Sequence, residues 1–399
     1  MALETPVFAH DYKPSELNYG RGSIDDIEEI LHDYDLDDAL VVCGSSVGSN
    51  DALMDPVRDG LGDGIAGVFA ETSPEKRLQT VFEGVDRVTE TGADAVVAIG
   101  GGSSIDVAKG ICAFSASDRT YESVFSEVVD TGELALPDTN QFLPLIAVPT
   151  TLAGAELSIA AGLVADTEDG PVEPVLVDNR LMPVSLIHDP NLFETTPIDT
   201  LAGSAINGFD KGVEAIYSRF ANPVTDATAV RSLKYLRSSL PELREAEDPS
   251  VMERAVTGMI LAQYGVSMPD RYKINIVHAF GHALRNQFGI QQGIAHAVVV
   301  PHVLSLIFDE GCGRPELLAE GLLTGDEAAE TTEGAIIEAV EDVRDGLGLP
   351  SMLRELDGTS KDGLHAVAEH TADDPFLNLG PTEFDPSVEA VEQTLRNAW

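Results

Sequence analysis

The sequence predicts two domains: an α/β N-terminal domain on a Rossmann-like parallel sheet over residues 1–192, and an all-α C-terminal domain over residues 193–399. Three observations lead there. Short, continuously apolar runs alternate with helical patterns through the first half, which is the signature of a parallel sheet covered on both faces. From about residue 193 the apolar period becomes 3.6 throughout. One of the apolar runs ends in three consecutive glycines that open a helix.

Taken in order, "DALVVCG" (38–44), "IAGVFAET" (65–72), "DAVVAIGGG" (94–102) and "LPLIAVPTT" (143–151) each read as a buried strand ending in Gly, Ser or Thr. "AAGLVAD" (160–166) and "VSLIHDP" (184–190) are expected to complete the same layer. Between the strands, "SIDDIEEILHDY" (23–34) and "SPEKRLQTVFEGVDRVTETG" (73–92) have helical spacing and acidic starts. In the second half, "TPIDTLAGSAINGFDKGVEAIYS", "TDATAVRSLKYLRSSLPELREA", "PSVMERAVTGMILAQYGVSM" and "EGAIIEAVEDVRDGLG" are helical, with Asp, Pro or Gly at their boundaries. No internal repeat or low-complexity linker separates the halves, so direct packing around a cleft is expected.

Lys+Arg number 24 against Asp+Glu 68, a net charge of -44 in a chain of 399 residues. The carboxylates are spread along a chain that is 43% hydrophobic, which excludes a disordered acidic tail. A salt-adapted surface fits, because at molar salt the Debye length falls to about 3 Å and self-repulsion is screened. The same charge argues against nucleic acid or an anionic membrane as partner. Cys43, Cys112 and Cys312 have no CxxC spacing and form neither a disulfide framework nor a zinc site. The N-terminus lacks a basic region followed by an apolar run, and no apolar stretch of 18 residues is evident, so a soluble, reduced, cytoplasmic protein is expected.

Chemistry concentrates in two places. In "VVAIGGGSSIDVAKGI" (96–111), Gly100, Gly101 and Gly102 let the backbone approach an anion, Ser103 and Ser104 add hydroxyls, and a helix start adds partial positive charge. A phosphate or pyrophosphate site is expected there, although the motif is not the GxGxxG fingerprint. In "SAINGFDKGVEAIYSRFANP" (204–223), Asn207 and Lys211 lie four apart on one helix face among the packing residues Ile206, Phe209, Val213 and Ile216. Lysine is scarce here, 7 against 17 arginines, so one inside a helix calls for a reason.

The motifs "GGGSSID.AKG", "PTTLAGAE" (149–156), "ANP" (221–223) and "HAFGH" (278–282), in this order, resemble the iron-containing alcohol dehydrogenase superfamily, of dehydroquinate-synthase-like fold, over nearly the whole chain. The resemblance implies an N-terminal nucleotide-binding domain, a helical catalytic domain, NAD(P) as cofactor and a metal that polarises the substrate oxygen. It implies that Gly101, Gly102, Ser103 and Asp106 hold the pyrophosphate and that Thr150, Thr151 and Leu152 line the nucleotide. In the family an Asp at the end of the first strand binds the ribose 2′-hydroxyl. Here Gly44, Ser45 and Ser46 stand there, so NADP is favoured and NAD remains possible.

The family's four metal ligands correspond to Asn207, Lys211, His278 and Gln292. Three have changed, and an ammonium repels a divalent cation, so no catalytic metal is expected. Lys211 would instead stabilise a developing enolate or alkoxide, with the alternative that it snorkels to solvent or pairs with Asp210 or Glu214. "PTTLAGAELS" and His296 in "GIAHAVVVPH" resemble the maleylacetate reductase branch. His282 corresponds to the family's proton-relay histidine, with His278 as a second candidate, and Arg285 is either a carboxylate anchor or a surface residue. The preferred expectation is a metal-independent NADP(H)-dependent reductase of a small carbonyl or enoate, with a homodimer as the expected assembly. The alternatives are a conventional iron- or zinc-dependent alcohol dehydrogenase using Asp210, Glu214, His278 and His296 in a shifted register, a nucleotide-binding protein without catalysis, and last a lyase.

Overall fold

The structure, a computed structural model, describes residues 8–13, 15–168, 170–324 and 333–399. The chain forms two compact units, one of Lys13–Pro197 and one of Ile198–Trp399 together with the N-terminal stretch up to Tyr12. The junction thus follows Pro197 and does not lie at 192/193. Phe193 is buried and its ring stacks on that of His188 at 6.3 Å, which keeps the segment after the last strand with the sheet. Arg271 donates to the Ala9 carbonyl at 2.6 Å, holding the N-terminal stretch to the helical unit.

The first unit contains strands β1 (Glu16–Tyr19), β2 (Ala39–Gly44), β3 (Ile65–Thr72), β4 (Ala95–Gly100) and β5 (Leu145–Pro149), then short strands β6 (Ala160–Gly162), β7 (Ala165–Thr167), β8 (Gly170–Val172) and β9 (Val175–Val177), and finally β10 (Ser185–His188). Its helices are α1 (Ile27–Asp33), α2 (Ser45–Gly48), α3 (Asp51–Leu61), α4 (Leu78–Thr91), α5 (Gly102–Phe114), α6 (Tyr121–Thr131) and α7 (Pro190–Phe193). Six strands make one parallel sheet in the order β1-β10-β5-β4-β2-β3.

The two-residue alternation of a strand explains why the apolar runs are continuous. Leu40, Val42, Val96 and Ala98 face one core, filled by α4, α5 and α6 through Val81, Phe82, Ile105, Ile111 and Val124. Val41, Cys43, Val97 and Ile99 face the other, filled by α1 and α3 through Ile27, Leu31, Met54 and Val57.

Three expectations need correction. Residues 160–166 do not join the sheet: β6 pairs with β9 and β7 with β8, antiparallel and three residues each. Pro171 and Pro174 cannot donate to a ladder, which keeps this segment local. The edge strand β1, which pairs with β10, carries no apolar run and was not foreseen. The helix expected over 73–92 starts only at Leu78, because Lys76 is left-handed, with φ of 51°.

The second unit contains, among the described residues, only helices: α8 (Ile198–Tyr217), α9 (Pro223–Ser239), α10 (Ser250–Gln263), α11 (Ile276–Phe288), α12 (Gln292–Asp309), α13 (Pro315–Leu322), α14 (Glu333–Gly346), α15 (Leu364–Asp373) and α16 (Val388–Asn397), with short 3₁₀ turns. α8 is its axis, packed on α9, α10, α11 and α12, and every residue from Leu201 to Tyr217 is buried except half-buried Asn207. The "ANP" motif starts α9: the Asn222 side chain and Thr225 form a reciprocal cap, and Pro223 takes the first position. α12 corrects the reading that no apolar stretch of 18 residues exists. It is long and apolar enough to cross a membrane, yet 72% of it is buried inside the fold, which marks a core helix.

Candidate active site

In the first unit the ends of β2 and β4 lie side by side, and the turns after them form an anion cradle. Gly100 has φ of 128°, a conformation that suits glycine alone, and its amide oxygen accepts the Thr150 N–H at 3.0 Å. A Cβ on Gly101 would lie 3.1 Å from the Thr151 methyl, and one on Gly102 3.3 Å from Ala155. These glycines therefore let the segment carrying Thr151 and Ala155 approach the turn more closely than side chains would allow. No side chain caps α5, whose N-cap is Gly101; the Ser104 N–H bonds the Gly101 carbonyl at 3.1 Å, and the Gly102 and Ser103 N–H groups of that 13-residue helix are left for a ligand.

Ser103 is half-buried at this helix start, while Ser104 is buried and bonds the Thr72 hydroxyl at 2.7 Å. Thr150 and Leu152 are buried and Thr151 is half-buried beside Gly101. Gly44 ends β2, followed by exposed Ser45 and Ser46 in the single turn α2, whose Val47 packs near Gly100. Asp106 is engaged elsewhere: its Oδ2 takes Lys76 Nζ at 2.6 Å and the Gly162 N–H at 3.4 Å. The cradle fits a dinucleotide's phosphates in its glycines, its hydroxyls and its open helix start.

In the second unit, α8, α11 and α12 bring together Lys211, Asp210, Glu214, His278 and His296. Asn275 caps α11 and ties it to α8, with its Nδ2 donating to the Glu214 carbonyl at 3.2 Å. Glu214 holds His278 twice: Oε1 accepts its backbone N–H at 3.2 Å and Oε2 lies 2.6 Å from Nδ1. His296 Nδ1 lies 3.1 Å from Asp210 Oδ2, out of line for a hydrogen bond, so both oxygens of Asp210 and both ring nitrogens of His296 are buried and find no hydrogen-bond partner among the described residues. The His278 and His296 rings meet edge to face at 4.4 Å. Gly281 makes this possible, since a Cβ there would lie 2.4 Å from His296 Nε2 and 3.4 Å from the Gln292 side chain.

Burial sets the protonation of this cluster. It pushes the Asp210 carboxyl well up, partly offset by the Lys211 charge, and pushes Glu214 well up with Asp210 adding to it, against the backbone N–H groups of His278, Asn275 and Val277. Burial also drives His278 far down, helped by His296, Lys211 and His282, and takes His296 to about 3, helped by His282 and Lys211. Burial thus favours the neutral forms of both carboxyls and both imidazoles, which leaves the cluster with little net charge of its own. Lys211 is 9% exposed, so it does not snorkel to water, and its ammonium is near enough to act on Asp210, His278 and His296.

His282 lies one turn beyond His278, one-third exposed, with Nδ1 2.9 Å from Asp374 Oδ2. Arg285 is half-buried a further turn along the same face. Sequence reading missed Glu214 as the orienter of His278, and it missed Asp374, whose partner is 92 residues away without any motif to flag it. It also missed Lys109, fully buried with Nζ donating to the carbonyls of Ala155, Ser158 and Ala160. The Lys109 amine thereby fixes the loop beside the glycine turn.

A divalent cation is a poor fit to these residues. The family positions hold Asn207, Lys211, His278 and Gln292, in which an ammonium replaces a donor. In the shifted set the Glu214 carboxylate is spent on His278 itself. Among the described residues no group of three or more His, Cys, Asp or Glu side chains is arranged to hold a metal.

Known proteins resemble the chain along its whole length. The NAD-dependent methanol dehydrogenase of Bacillus methanolicus is 26% identical over 95% of this chain and 97% of its own. The maleylacetate reductase of Sphingobium indicum is 25% identical over 97% of each. The solved maleylacetate reductase of Agrobacterium tumefaciens is 25% identical, with a TM-score of 0.78 over 99% of both chains. The iron-containing alcohol dehydrogenase family matches residues 14–190, and the C-terminal domain of the Fe-containing alcohol dehydrogenase family matches residues 201–399. Sheet, glycine turn and histidine-bearing helices thus have one explanation: the chain belongs to the iron-containing alcohol dehydrogenase family and is an NAD(P)-dependent oxidoreductase.

Proposed function

We propose that this family member works without a metal, prefers NADP(H), and reduces a small carboxylate-bearing carbonyl or enoate in a salt-rich cytoplasm. The observation that carries the reading is Lys211, a buried ammonium beside two buried imidazoles at the position of a family ligand. Bound reduced nicotinamide supplies the hydride. Lys211 stabilises the negative charge that develops on the substrate oxygen, as a fixed donor in a site of low dielectric. His282 delivers the proton that completes the alcohol or the saturated acid. Arg285, with its planar fork, is suited to a substrate carboxylate. Likeness to two maleylacetate reductases supports this substrate class. At Gly44 no carboxylate repels a 2′-phosphate, and the exposed Ser45 and Ser46 hydroxyls are available to it.

A second reading has one observation in its favour. Asp210, Glu214, His278 and His296 do meet, as two pairs with ring centroids 4.4 Å apart, so a rearranged metal set is its basis. Elemental analysis of protein purified in high salt separates the two. NADPH oxidation is followed on the same sample with maleylacetate and with short aldehydes, before and after chelation. Substoichiometric metal with chelator-resistant turnover supports the proposal. One tightly bound iron or zinc whose removal abolishes turnover replaces it with the second reading. Tight NADPH binding without turnover of any probe rejects both in favour of a non-catalytic nucleotide-binding protein.

A further inference from the structure

The proton donor of the proposed reaction is itself held by a structure that no sequence motif announces. Asp374 follows α15 and caps the 3₁₀ turn Pro375–Leu379, with its Oδ1 accepting the Phe376 N–H at 2.8 Å. That bond fixes the plane of the carboxylate, and Oδ2 meets His282 Nδ1 at 2.9 Å. Phe376, the residue so capped, packs on the His282 ring at 5.1 Å, and Tyr272 backs it at 6.0 Å. The carboxylate is 15% exposed and the imidazole 33%. One turn of chain thus supplies both a polar partner for one ring nitrogen and an apolar wall for the ring.

We infer that Asp374 is a positioning residue for His282, an inference that rests on His282 acting as the proton donor. A carboxylate accepts only, so Nδ1 keeps its hydrogen and Nε2 becomes the one ring atom that exchanges protons. In the reductive direction the Nε2–H bond breaks as the proton joins the developing alkoxide oxygen. The ring is left neutral with Nδ1–H on Asp374, and Nε2 recovers a proton from water. Without the carboxylate the ring can turn over or adopt the Nε2–H tautomer, and the donor atom is no longer held in place. The same logic governs an acid that orients a catalytic imidazole in other enzymes, where the amide variant fails through the wrong tautomer.

The test uses the full chain with Asp374→Asn, His282→Gln and the double variant. Asparagine caps a helical turn as well as aspartate does, so a purely structural role for Asp374 survives the substitution. Histidine ¹⁵N NMR at alkaline pH, with His282→Gln identifying the signal, is expected to show Nδ1–H in the parent and Nε2–H in Asp374→Asn. Turnover in Asp374→Asn is expected to fall about 10- to 100-fold with the nucleotide KM and the melting temperature little changed. In the His282→Gln background the same substitution should cost nothing further. An Nε2–H signal in the parent, full activity in Asp374→Asn, or an undiminished loss in the double variant overturns the inference. Unchanged turnover in His282→Gln alone overturns instead the proton-donor reading on which it rests. Should Asp374→Asn fail to fold, Asp374→Ser, which also caps, takes its place in each comparison.

Discussion

An ammonium at residue 211 is 9% exposed and close enough to two imidazoles to lower both. Holding a charge there has to be repaid by chemistry or by packing, and the two accounts differ in what Lys211→Met does. Methionine has a similar length and no charge, and exchanging buried charges for apolar groups is often neutral for stability. Turnover is expected to fall by about 10²- to 10³-fold, as when an oxyanion donor is lost, with the melting temperature nearly unchanged. Turnover close to that of the parent, with a large drop in melting temperature, would reject the catalytic role. A second residue-scale expectation concerns Gly44. Gly44→Asp places a carboxylate where a Cβ would come within 3.2 Å of the Thr72 carbonyl, a contact that a small shift relieves. If a 2′-phosphate binds there, the NADPH KM rises by about tenfold from charge repulsion while the NADH KM stays or falls. Equal effects on both nucleotides would place the 2′ position elsewhere. At this scale the sequence was informative where local chemistry is unusual, as at Gly100–Gly102 and Lys211. It named Glu214 only as a partner of Lys211 or a metal ligand and did not name Asp374, because an orienting acid is defined only by what it meets in three dimensions.

Helices α8 and α12 cross where glycine faces glycine. A Cβ on Gly293 would lie 2.0 Å from the Gly203 carbonyl oxygen, whereas a Cβ on Gly203 would meet the Gln291 side chain at 3.4 Å and Ile294 at 3.8 Å, both ordinary or nearly ordinary contacts. Gly293→Ala is therefore expected to push the helices apart at a cost of about 3 kcal/mol, the upper range for overpacking, and to lower the melting temperature by about 8 °C. Gly203→Ala is the control and should be tolerated. Equal melting temperatures for the two would show that the crossing is looser than the structure has it. Elsewhere in the unit, His365 on α15 lies 2.8 Å from Glu392 on α16, with Glu369 also near. Those carboxylates raise His365 above its usual 6.5 and His365 with Arg396 lowers Glu392 below its usual 4.5. The raised imidazole contributes stability that is present below pH 6.5 and fades as pH climbs through its folded value, while the lowered carboxylate contributes above 4.5. The difference in melting temperature between the parent and His365→Gln is thus expected to be largest between these values and to vanish at alkaline pH. It should be small, about 1 °C, because the pair is exposed. A difference that grows with pH would contradict the pairing. The elements that sequence foretold are those whose pattern is self-sufficient: doubly buried strands such as β4 and long periodic helices such as α8. Strand β1 depends on a partner far along the chain, the three-residue pairs within 160–177 are too short to set themselves apart from a sheet strand by pattern, and Lys76 broke a helix start that spacing alone supported.

The charge of -44 belongs to the whole chain and should be felt by all of it. Raising KCl from 0.1 M to 2 M shrinks the Debye length from about 10 Å to under 3 Å and is expected to raise the melting temperature by more than about 5 °C. Chloride is the appropriate test, because sulfate strengthens apolar burial in any protein. A flat response would mean that the acidic surface is not an adaptation to salt. The same bias has stripped the surface of amines. Of the 7 lysines, Lys109, Lys211 and Lys273 are buried, Lys76 is half-buried in its ion pair with Asp106, and Lys13, Lys234 and Lys361 are exposed. Amine-reactive dyes, crosslinkers and activated resins thus have few places to attach, all of them nameable in advance. A preparation of this enzyme would take up label at Lys13, Lys234 and Lys361 ahead of its other lysines, so attachment to a support would be limited to a few known positions without any engineered tag.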